Sequence, residues 1–94
     1  MIMVPWDSTI MHSRQRKTLL AIFERPTRAD IRWTDIEALF LALGGLVQEG
    51  TGSRVRVLIG DVRATFHRPH PQPTAKKSAV EYVRRFLETA GIRP

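Results

Sequence analysis

One dipeptide constrains this chain more than any other feature. Gly60-Asp61 sits between 54–59 (RVRVLI) and 62–68 (VRATFHR), two runs rich in Val, Ile, Leu and Thr. A two-residue loop with glycine first predicts a type II′ β-hairpin, because its twist matches the twist of the strands it joins. Such a loop also fixes register. Ile59 must then face Val62, Val57 must face Ala64, and Val55 must face Phe66. Those pairs are apolar and make the buried face. The alternate pairs, Leu58 with Arg63, Arg56 with Thr65 and Arg54 with His67, must point the other way.

Around the hairpin the sequence predicts three helices and one further strand. The first helix is expected over 13–24, with Leu19, Ile22 and Phe23 on one face, Ser13 as N-cap and Pro26 as its stop. Thr34-Asp35-Ile36-Glu37 reads as a capping box, preceded by Trp33 as a hydrophobic staple. Ile36, Leu39, Phe40 and Leu43 follow at helical spacing, and Gly44-Gly45 ends the helix. A short strand over 46–49 leads through Gly50-Thr51-Gly52 into the hairpin. Pro69, Pro71 and Pro73 require an extended loop. The last helix is expected from 75 or 76 to 90, with Val80, Val83, Leu87 and Ala90 inward and Gly91 as cap. The order α-α-β-β-β-α groups like elements together, which predicts an α+β fold with helices packed on one face of a three-stranded antiparallel sheet.

The chain's 94 residues are one domain's worth. Met11 offers a second translation start, so residues 1–10 are read as an N-terminal extension, ordered or not, and 11–94 as a single domain. No cysteine is present, which excludes disulfides and thiolate metal sites. The opening residues lack the basic flank and apolar run of a signal peptide, and no segment approaches the roughly 20 apolar residues of a membrane span. A cytoplasmic protein without membrane association is expected.

The net charge of +6 is unevenly placed. Residues 1–50 hold six Lys/Arg and six Asp/Glu, whereas 51–94 hold nine Lys/Arg and three Asp/Glu. A basic half implies an anionic partner, with nucleic acid or an acidic protein ahead of a membrane surface. Three arginines and one histidine on the outward hairpin face suit a phosphodiester. Guanidinium groups grip phosphate oxygens through paired donors, and an imidazole exchanges protons near neutral pH. RNA supplies its own nucleophile, the 2′-hydroxyl, so its cleavage requires a base, an acid and a charge stabiliser but no metal or cofactor. His67 and His70 lie three residues apart, yet Pro69 between them and the lack of a partnering acid or cysteine argue against a metal site.

Gly52-Ser53-Arg54-Val55-Arg56-Val57, the return segment Phe66-His67-Arg68-Pro69-His70-Pro71, and a closing helix with Val83, Phe86, Leu87 and Ala90-Gly91-Ile92 resemble the HicA family, the toxins of HicA–HicB toxin–antitoxin pairs. The resemblance covers about 44–92. It implies a fold like a double-stranded-RNA-binding domain, metal-independent cleavage of mRNA, and neutralisation by a HicB-type antitoxin. The family carries its catalytic histidine directly after the Gly-Ser of this strand, and here that position is Arg54. Its second histidine is matched by His70. His67, the cross-strand partner of Arg54, is therefore the expected proton-transfer group, with His70 next. Ser53, Arg54, Arg56, Arg63 and Arg68 are the expected RNA contacts. The alternative is a catalytically weak or inactive homologue that serves as an RNA-binding or protein-interaction module.

Other residues carry simpler expectations. His12 reads as exposed and inert, Trp6 as an apolar anchor for the start of the chain, and Tyr82 as half-exposed beside the last helix's apolar stripe. Arg84 and Arg85 read as a solvated pair.

Overall fold

The structure, a computed structural model, describes residues 12–94. The extension expected at 1–10, with Trp6, lies outside them. Within them run α1 (Ser13–Ile22), α2 (Trp33–Ala42), β1 (Leu46–Glu49), β2 (Arg54–Ile59), β3 (Val62–His67) and α3 (Lys77–Thr89). The sheet is antiparallel, ordered β1-β2-β3. All three helices pack on one of its faces, so this is an α+β domain of the expected order.

The hairpin has the register its loop dictates. Arg54 pairs with His67, Val55 with Phe66, Arg56 with Thr65, Val57 with Ala64, Leu58 with Arg63 and Ile59 with Val62. Gly60 takes φ +63° and, among the described residues, no non-glycine residue has positive φ, so Asp61 does not either, the combination a type II′ turn requires. Val55, Val57, Ile59 and Phe66 are buried against the helices. Facing them are Leu19 and Ile22 of α1, Ile36, Leu39 and Phe40 of α2, and Val80, Val83, Phe86 and Leu87 of α3.

Phe66 is the hub of this core. Its ring centroid lies 5.5 Å from Phe40, 5.6 Å from Phe86, 5.7 Å from Trp33 and 4.9 Å from Tyr82. Phe40 stacks on it at 27°, Phe86 meets it edge-on, and Trp33 and Tyr82 are tilted, arrangements that suit the ring quadrupoles. With Phe66 held inward, its chain neighbour His67 is turned outward by the pleat.

Three local expectations are corrected. Helix α1 stops at Ile22 rather than 24, one turn before Pro26, whose ring would collide with the Ile22 carbonyl in a continued helix. Its N-cap position is His12, not Ser13, and carries no side-chain capping bond. Helix α2 begins at Trp33, with Arg32 at the cap position and no capping box. Glu37, which the box required, instead accepts hydrogen bonds from the Trp33 indole N–H and from Arg68. Trp33 is thereby a buried first-turn residue rather than a staple outside the helix. At the other end of α2, Gly45 donates to the Phe40 carbonyl at 2.9 Å. A Cβ on Gly45 would meet that oxygen at 2.8 Å and the Ile59 side chain at 3.0 Å, so only glycine brings α2 this close to β2.

The Arg84-Arg85 pair is the fourth correction. Arg85 is exposed, but Arg84 is only 4% exposed. Its Nε donates to the Ile22 carbonyl at 3.0 Å, and one terminal nitrogen reaches the Glu24 carbonyl at 3.3 Å and the Thr27 hydroxyl at 3.0 Å. The guanidinium thus satisfies carbonyls left open at the C-terminal end of α1, where the helix dipole is negative. Arg84 stands four residues after Val80, on the buried stripe of α3, which is why it points inward.

Candidate nucleic-acid interface

The face of the sheet turned away from the helices is where the sequence-predicted residues gather. Arg54 and Arg56 of β2 and Arg63, Thr65 and His67 of β3 are all exposed there. Strict alternation places them: Arg54, Arg56, Thr65 and His67 each adjoin a buried Val or Phe, and Arg63 lies between the partly buried Val62 and Ala64. Among the described residues, no carboxylate forms an ion pair with Arg54, Arg56 or Arg63. Three guanidinium groups on one face therefore keep their full donor sets for an outside anion. Ser53, just before β2, is exposed at the same end as Arg54 and His67, and its carbonyl accepts from the Arg68 amide at 2.9 Å.

Two shallow cavities lie here, one on this face and one along its β3 edge. One, of about 530 Å³, is bordered by Arg56, Leu58, Arg63 and Thr65 together with Leu46 and Gln48 of β1. The other, of about 440 Å³, runs between the β3 edge and the start of α3 and is bordered by His67, His70, Lys76 and Ser78. The structure brings both histidines to one groove. Thr65 and Tyr82 border both cavities, so the arginine face and the histidine groove adjoin across β3.

Arg68 stands apart from the other predicted contacts. It follows Phe66 by two residues, so its side chain goes to the helix side of the sheet. There Nε and one terminal nitrogen grip Glu37 at 2.7 and 3.0 Å, and the other terminal nitrogen reaches Glu49 at 2.6 Å. These bonds hold the Glu49 carboxyl below the usual carboxylate range and raise the Arg68 guanidinium further above its already high value. Arg68 thus braces the loop that follows β3. The far end of that loop is tied by Trp33 N–H to the Pro73 carbonyl and Ala75 N–H to the Ile31 carbonyl, both 2.9 Å, with an Arg32–Thr74 bridge between them. His70 is exposed between these two anchorages.

Tyr82 and Ser78 of α3 and Lys76 at its N-cap are lining residues that sequence reasoning did not assign to the site. Their position depends on how α3 packs beside β3, which local periodicity does not specify. His12 is exposed at the start of α1, and no group of three or more His, Asp or Glu able to hold a metal ion occurs among the described residues. No helix among them is long and apolar enough to cross a membrane.

In comparisons with known proteins, no family model, no curated sequence and no solved structure matches this chain.

Proposed function

We propose that this protein is an RNA-directed toxin of the HicA kind, a metal-independent endoribonuclease that cleaves mRNA in the cytoplasm and is neutralised by a HicB-type antitoxin. The observation that carries the reading is the Arg54–His67 pair beside a groove that also holds His70, next to a sheet face with unpaired arginines. In this reading Arg54, Arg56 and Arg63 hold the phosphate backbone. His67 accepts the proton of a 2′-hydroxyl as its oxygen attacks the adjacent phosphorus. The P–O5′ bond breaks, and His70 supplies the proton to the departing 5′-oxygen, leaving a 2′,3′-cyclic phosphate and a 5′-hydroxyl. The arginines stabilise the charge that gathers on the phosphorane oxygens.

The test is incubation of purified protein with RNA in excess chelator. Cleavage giving 2′,3′-cyclic phosphate ends, lost in His67→Ala and His70→Ala while both remain folded, is the expected result. Full activity in both variants overturns the histidine assignment. Arg54 at the position where the HicA pattern has its histidine favours a second reading, an RNA-binding module without catalysis. Salt-sensitive retention of RNA with no cleavage is its signature.

A further inference from the structure

The arginine face and the histidine groove meet at one aromatic side chain. Tyr82 is 40% exposed, in contrast to the buried Val80, Val83 and Phe86 around it on α3. Its ring is backed by Phe66, whose centroid is 4.9 Å away at an interplanar angle of 51°. Phe66 is in turn fixed by Phe40, Phe86 and Trp33, so the tyrosine rests on the rigid core. Arg85, one turn further along α3, brings its guanidinium to 5.9 Å from the Tyr82 ring centroid and adds positive charge beside it. Tyr82 borders both cavities, and so does Thr65.

We infer that Tyr82 is a base-stacking platform that selects an unpaired RNA strand and carries it across β3, from Arg56 and Arg63 on one side to His67 and His70 on the other. This rests on the RNA reading above and adds to it a strand path and a specificity residue. Cavities of about 530 and 440 Å³ each fit a group the size of a nucleotide. A base paired within a duplex keeps its faces covered by its neighbours and cannot lie on the ring. An unpaired base can, and stacking tolerates any base because each has a π-face. Guanidinium groups before the platform and Lys76 beyond it supply cations on both flanks of the stacked nucleotide.

The experiment uses a 12-nucleotide RNA with 2-aminopurine at successive positions, the same RNA annealed to its complement, and a fluorescein-labelled copy for affinity. His67→Ala protein keeps the RNA intact. In that background, quenching of 2-aminopurine at one position of the bound single strand is expected, retained in Tyr82→Phe and lost in Tyr82→Leu. Affinity of Tyr82→Leu for the single strand is expected to drop about 5- to 150-fold, the range for losing one base–aromatic stack. Affinity for the duplex is expected to be low in both and unchanged by the substitution. Arg56→Ala, by contrast, weakens binding but leaves the quench intact at saturation. Single-strand binding with no quench at any position, or equal affinity of the Tyr82→Leu and Tyr82→Phe proteins, overturns the platform while leaving the RNA reading standing. Absence of binding to either RNA overturns both.

Discussion

Arg68 holds Glu37 through two parallel hydrogen bonds, 2.7 and 3.0 Å, and this one pair ties the loop after β3 to the first turns of α2. A planar guanidinium matches a carboxylate in this way and an ammonium does not. Arg68→Ala is expected to lower unfolding free energy by about 1–3 kcal/mol, since Glu37 then loses charge-assisted partners in a half-buried place. Arg68→Lys is expected to recover less than half of that in urea melts. A full recovery by lysine would show that point charge, not the fork geometry, is what the site uses.

The third Arg68 contact gives a pH dependence. Glu49 is held below its ordinary value of 4.5 by the hydrogen bond from Arg68 and by its charge. A carboxyl lowered in the folded state adds stability above its unfolded value, and loses it as pH falls through the folded one. Thermal midpoints of the wild type are therefore expected to exceed those of Glu49→Gln above pH 5. The two curves converge as the pH drops below about 4. Since Glu49 is exposed, the gap also narrows with added salt. Curves that stay parallel down to pH 2.5 would contradict the ion-pair account.

Phe66 is the residue on which β3 is seated. Phe66→Ala removes the ring that Trp33, Phe40, Tyr82 and Phe86 share and is expected to cost about 3–5 kcal/mol. In a domain of this size that is a large fraction of the total. Loss of the cooperative thermal transition by circular dichroism is the expected readout, and a midpoint within a few degrees of wild type would be the contrary one.

Arg84 and Arg85 are adjacent and are expected to behave oppositely. Arg84→Ala strands the buried Ile22 carbonyl and takes one partner each from the Glu24 carbonyl and the Thr27 hydroxyl, which still donates to Glu81, at about 1–3 kcal/mol for a buried polar group left without a partner. Arg85→Ala is expected to stay within about 0.5 kcal/mol of wild type. Parallel urea titrations of the two variants decide it, and equal midpoints would sink the distinction.

Binding of RNA is expected to weaken linearly in log–log plots against salt. Arg54→Ala, Arg56→Ala and Arg63→Ala are each expected to reduce the slope by about 0.7, the single-strand value per phosphate contact. Arg68→Ala is expected to leave the slope unchanged, because its guanidinium is committed to Glu37 and Glu49. A slope change for Arg68→Ala equal to that for Arg56→Ala would place it among the phosphate contacts.

The hairpin was readable because a two-residue loop leaves one register, and alternation then assigns each side chain to a face. The same alternation puts Arg68 with Phe66, on the helix side. Grouping it with the outward arginines followed its charge and overlooked its parity. Arg84 likewise occupied a stripe position four after Val80, but its acceptors come from the end of α1, some 60 residues earlier. The capping box failed for a related reason. Thr34 and Glu37 have the right spacing, yet Glu37 found Trp33 and Arg68 once the sheet was assembled. Tyr82 came to the site through the docking of α3 beside β3, which only tertiary structure decides.

The segment from Pro69 to Pro73 is pinned at one end by Arg68 and at the other by the Pro73 and Ile31 carbonyls. His70 sits on the free span between these fastenings. Lengthening that span costs closure entropy alone, roughly 0.6 kcal/mol for each doubling, and moves neither anchorage. The molecule therefore keeps His70, one of the two histidines of the groove, on an interchangeable part. Its reach and neighbours can be altered there by insertion, while a single residue added within a strand of the hairpin that carries the other histidine turns the arginines beyond it inward.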